Sequence, residues 1–134
     1  MRNSISKALV FASACLLPVA ASAATGSYIC AFSEVYECET VTGCSRGHLQ
    51  DINLPEFVVL DLDKKQLSGA AIGHEHRTED IEGMTSDDKH IHIHGMQDEE
   101  TWNATIILET GALAGGITSG TSSFAVFGNC TQKE

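Results

Sequence analysis

The sequence predicts an all-β protein: an antiparallel meander forming a small barrel or sandwich, stapled by disulfides. Three observations carry that reading. Short stretches alternate apolar and polar residues with period two, as in residues 56–63 (EFVVLDLD) and 102–109 (WNATIILE). Gly, Asp and Asn turn signals recur about every 8–12 residues, the spacing of strands in sandwiches and barrels. No window after residue 23 holds the 3.6-residue period of an amphipathic helix.

The elements follow in order. Arg2 and Lys7 flank a short positive start, residues 8–20 are apolar, and Ala21-Ser22-Ala23 is a small-residue cleavage site. That order reads as a secretory signal peptide over 1–23, with a single domain at 24–134. Residues 28–37 form a first strand rich in aromatic and β-branched side chains. Residues 44–54 hold at most one helical turn. In 56–63, Val58, Leu60 and Leu62 share a face; 63–66 is a turn, and 67–72 returns. Strands follow at 77–83 and 89–96. In 102–109, Trp102, Ala104, Ile106 and Leu108 face one way. Thr110-Gly111 turns the chain into 112–117. Residues 122–130 close the sheet, with Phe124 and Val126 on one face and Phe127 on the other.

Removal of 1–23 takes two of the 8 basic residues and none of the 18 acids, so the domain carries a formal charge of 6 − 18 = −12. So acidic a surface repels nucleic acid and anionic head groups and attracts cations. No later apolar run approaches membrane-spanning length, so no membrane insertion is expected after cleavage, and the address is periplasmic or secreted. Four cysteines remain: Cys30, Cys38, Cys44 and Cys130. In an oxidising compartment they read as two disulfides, with three possible connectivities. Cys38–Cys44 with Cys30–Cys130 is favoured. The first pair brackets a polar turn in which Gly43 can take positive φ; the second ties the first strand to the last. A four-thiolate zinc site is the rival, but no closely spaced cysteine pair of the C-x2–4-C kind is present.

Residues 90–94 read His-Ile-His-Ile-His. On a strand, His90, His92 and His94 share one face and Ile91 and Ile93 the other. Neighbours two apart lie about 6.6 Å from each other along the strand, close enough for two imidazoles to share an ion; four apart they lie about 13 Å away, too far. His74 and His76 form a second such pair. A hairpin centred near Met84 would set His76 opposite His92 and His74 opposite His94, clustering four imidazoles. An odd register or one bulge would break that cluster. Imidazole suits Zn, Cu or Ni. A solvated polar face is the plainer reading of the same residues. Asp87-Asp88 and Asp98-Glu99-Glu100 lack the EF-hand order and read as solvated turns.

No G-x-S-x-G, H-E-x-x-H or P-loop occurs, so catalysis is not expected. Two roles are: a binding protein that takes a transition metal through His74, His76, His90, His92 and His94, or a protein-interaction module, such as an inhibitor or envelope accessory factor, whose acidic surface meets a basic partner.

The order Glu37-Cys38, Gly43-Cys44, Asn53-Leu54-Pro55, a strand with Asp61, Trp102 before Gly111, and Phe127-Gly128-x-Cys130 resembles small exported bacterial proteins of uncharacterised function. The resemblance spans most of the chain after residue 23. It implies an exported, disulfide-linked β protein and brings no activity with it. The histidines stand outside the pattern.

Overall fold

The computed structural model describes residues 24–70 and 73–134. The signal-peptide reading of 1–23 lies outside the described residues. The fold is all-β, as expected, and antiparallel throughout. Its strands are β1 (Ser27–Glu39), β2 (Gly43–Gly47), β3 (Phe57–Asp61), β4 (Gln66–Gly69), β5 (Arg77–Asp80), β6 (Gly83–Ser86), β7 (His90–Gln97), β8 (Glu100–Ile107), β9 (Ala112–Ser119) and β10 (Ser122–Lys133). A 3-10 turn occupies Leu49–Ile52, where one helical turn was expected. The sheet runs β5-β4-β3-β1-β10-β9-β8-β7-β6 and curls into a half-barrel, with β2 added beside β1.

Alternation decides the faces. Val58, Leu60 and Leu62 turn inward, as do Ile91, Ile93, Ile106, Leu113 and Val126, all buried. Each such side chain contributes about 1.5–3 kcal/mol on leaving water. Phe127 faces out, 42% exposed, as the alternation of β10 requires. β1 needs one correction to a uniform period. Its pairing with β10 shifts between Phe32 and Glu34, leaving Ser33 as an extra residue. Up to Phe32 the even positions face the core; beyond the bulge an odd one, Val35, is buried. A bulge changes parity in this way because two residues oppose one.

Both favoured disulfides are present. Cys30–Cys130 and Cys38–Cys44 each join residues directly opposite across a strand pair. Gly43 takes φ 78° at the tip of the β1–β2 hairpin. Chain entropy gives roughly 4.7 kcal/mol for the bridge that closes 100 residues and about 2.4 for the one that closes six. Two disulfides fit an oxidising environment outside the cytoplasm. No helix among the described residues is long and apolar enough to cross a membrane.

The expected strand at 77–83 is two strands with different partners. β5 pairs β4, Leu67 facing Glu79, while β6 pairs β7, Gly83 facing His94. The change of partner falls at Ile81-Glu82. There the Ile81 N–H donates to the Lys65 carbonyl at 2.8 Å, and the Glu82 N–H donates to the His94 carbonyl at 3.0 Å. One continuous stretch thus draws the two edges of the sheet together, and buried Ile81 sits at the handover. Met84 lies within β6, so the turn before β7 falls later, at 87–89. The return strand expected to reach 72 ends at Gly69; residues 71–72 lie outside the described residues.

The interior has two parts. Tyr28, Leu62, Ile81 and Ile91 belong to the packed cluster, together with Leu60, Ile93, Ile106 and Leu113. The last four also border a cavity that the packing leaves open.

Candidate functional site: a cavity inside and a histidine face outside

The cavity has a volume of about 110 Å³. Val58, Leu60, Ile93, Ile106 and Leu113 line its apolar wall, and Ile52, Leu54 and Pro55 of the 3-10 turn and the loop after it also border it. Small residues make the room: Ala104 faces Gly115 across the β8–β9 pair, on the inward side that also carries Trp102, Ile106 and Leu113. A cavity of about 150 Å³ lined by aliphatic and aromatic side chains holds one benzene ring, so this space suits a body of one small ring.

Trp102 forms part of the wall. It faces Gly95 across the β7–β8 pair, and its indole lies over that glycine; a Cβ built there would stand 2.5 Å from Trp102 Cζ2. Only glycine leaves room for the ring. Trp102 Nε1 is buried and has no hydrogen-bond partner among the described residues. A buried unpaired donor costs about 1–3 kcal/mol.

The polar part of the lining is mixed: Asn53, Ser68 and Asn103 are neutral, and the charged residues are two acids and one guanidinium. Arg77, Glu79, Gln97 and Glu100 border the cavity. Glu79 shares the inward parity of Ile81 on the continuous stretch. Burial holds its carboxyl above the usual range; Arg77 pulls it down, and Glu100 and Asp98 push it further up. A shallower depression continues from the cavity through Ile52, Asn53, Glu100 and Ile117, adding Asp51, Ser119, Ser122 and Phe124.

Outside, β7 behaves as the alternation predicts: Ile91 and Ile93 are buried, His92 and His94 exposed and His90 half-buried. The histidines do not gather as the even register required. In the β6–β7 hairpin Thr85 faces His92 and Gly83 faces His94, so odd positions meet even ones. His74 and His76 precede β5 and are exposed; neither lies on the strand that pairs β7. Even within β7 the rings diverge. His92 Nδ1 lies 2.9 Å from Thr105 Oγ1 on β8, whereas the His94 ring covers Gly83 on β6. His90 and His92 stack, centroids 5.8 Å apart, and His90 Nδ1 lies 3.4 Å from Asp87 Oδ1. The Asp87 carboxyl accepts the backbone N–H groups of Lys89 and His90, which hold it below the usual carboxylate range. No group of three or more His, Cys, Asp or Glu placed to hold a metal occurs among the described residues.

No protein-family model matches the chain, and no curated protein and no solved structure matches it. Sequence reasoning put Trp102 on one face with Ala104, Ile106 and Leu108 and missed the cavity. The available signal was Ala104, a small residue between Trp102 and Ile106 on that face.

Proposed function

We propose that this chain is a small binding protein of the periplasm or extracellular space, and that it holds a small, mostly apolar molecule with one hydrogen-bond acceptor inside the half-barrel. The observation that carries this reading is the apolar cavity walled by Val58, Leu60, Ile93, Ile106 and Leu113 and in part by Trp102. Small-molecule sites combine apolar walls with few polar groups in this way, and the mouths of β-barrels are a common place for them.

The test uses the single tryptophan as its own reporter. Titration with 1-phenylethanol, one ring and one hydroxyl, is expected to shift Trp102 emission saturably, with a Kd on the order of 0.1–1 mM for so few atoms. Ala104→Leu fills the space and removes the response. Absence of a saturable shift, together with no saturation transfer to the probe by NMR, would overturn the reading.

A second reading is supported by the stacked His90–His92 pair beside Asp87: transition-metal binding (Zn, Cu or Ni) on the outer face of β7, with two imidazoles as the protein ligands. Isothermal titration of untagged protein with Zn2+ and Cu2+ tests it. Stoichiometric binding that His90→Ala plus His92→Ala abolishes supports it. Binding that survives the double substitution counts against this site.

A further inference from the structure

We propose that the molecule held in the cavity is a cation, an amine carried on a one-ring apolar body, with its ammonium group at the acidic part of the lining beside Glu79 and Glu100. This rests on the cavity reading and narrows it to a class of ligand.

Three observations converge. Glu79 points inward from β5, opposite Leu67, on a strand whose next inward residue is the buried Ile81. A carboxylate in that place gives up part of its hydration, and in the lining it has one cation near it, Arg77. Edge strands do use inward charges to prevent mispairing, but β5 is paired to β4 and its stretch continues into the handover to β7, which already protects it. Second, Glu100 borders both the cavity and the adjoining depression, and that depression adds Asp51. Asp98 is close enough to disfavour ionisation of Glu79. Three carboxyl groups, those of Glu79, Glu100 and Asp51, therefore border the cavity or its depression beside one guanidinium, in a chain already at −10. An anionic ligand would add to that repulsion, and a cation relieves it. Third, the acids adjoin the apolar volume and its indole, so a ring in the cavity and an ammonium among the carboxylates satisfy both at once. The aromatic faces of Trp102 and Phe124 add a favourable surface for a cation.

Three probes share one frame, a phenyl ring and a benzylic hydroxyl, and differ only in the third group: 1-phenylethanol is neutral, 2-amino-1-phenylethanol carries an ammonium, and mandelate carries a carboxylate. Trp102 emission reads all three. The amine is expected to bind about tenfold tighter than the neutral probe, with mandelate weakest. In Glu79→Gln the ratio of amine to neutral affinity falls below about twofold, and 0.5 M NaCl lowers the same ratio in the parent protein. Saturable 1-phenylethanol binding with no amine preference, or with mandelate as tight as the amine, overturns the cation assignment and leaves the cavity reading standing. No saturable binding by any of the three overturns both. Should Glu79→Gln not retain both disulfides and the parent's circular dichroism, the salt dependence in the parent decides. A ratio unchanged by salt counts against the assignment.

Discussion

The two parts of the interior are built from the same strands and differ in what fills them. Tyr28, Leu62, Ile81 and Ile91 belong to the packed cluster and do not border the cavity, and the backbone at Ile81-Glu82 is bonded to Lys65 and His94. In the other part, Ala104 faces Gly115, the indole lies over a glycine, and ionisable groups border an apolar volume. A region that leaves a donor unpaired and a carboxyl partly dehydrated is one where packing has not been optimised for stability alone.

The comparison can be broken most forcefully through the bridge whose Cys30 belongs to both parts. Cys30→Ala with Cys130→Ala is expected to lower unfolding free energy by about 4.7 kcal/mol, against about 2.4 for Cys38→Ala with Cys44→Ala, as read from urea midpoints. Equal losses would mean that the long bridge does no more than the hairpin clasp. Next in size is Ile81→Ala, which should cost about 2–5 kcal/mol because the closed part cannot collapse around the hole. Ala104→Leu, in the hollow part, should go the other way and gain about 0.5–2 kcal/mol by filling space already there. A loss there would show that the hollow region is as tightly packed as the closed one.

The smallest effect belongs to Glu79. Burial raises its pKa in the folded state above the ordinary 4.5. Well below that value the carboxyl is protonated in both folded and unfolded chains and costs nothing extra. As pH rises through the folded pKa it must ionise where water is scarce, and stability falls. Glu79→Gln should therefore match the parent in acid and exceed it at pH 7. Denaturation curves at the two pH values check this; an identical difference at both would sever the effect from ionisation.

Local pattern was legible in the residues. HIHIH specified which side chains of β7 face the core, and EFVVLDLD did the same for β3, because a period of two leaves no other assignment once one face is apolar. The flanking polar turn led to Cys38–Cys44, and Cys30–Cys130 followed by elimination. What local pattern does not encode is which strand a segment pairs. Residues 77–86 contain no turn residue strong enough to mark a change of partner, and the change is set by closure of the sheet between β4 and β7. That change of partner leaves His74 and His76 ahead of β5, away from the strand that pairs β7. The cavity was equally hidden, since its lining comes from segments scattered over residues 30–126 and only their packing leaves it unfilled.

The pairing of β1 with β10 also bears on time. Cys30 meets a partner 100 residues later in the chain. β1 therefore has β2 and β3 along one edge but nothing along the other until β10 is available. Contacts this distant are entropically costly to close and form slowly. During synthesis the chain can make hairpins but cannot complete its sheet. The bridge from Cys30 to Cys130 likewise closes only once β10 exists.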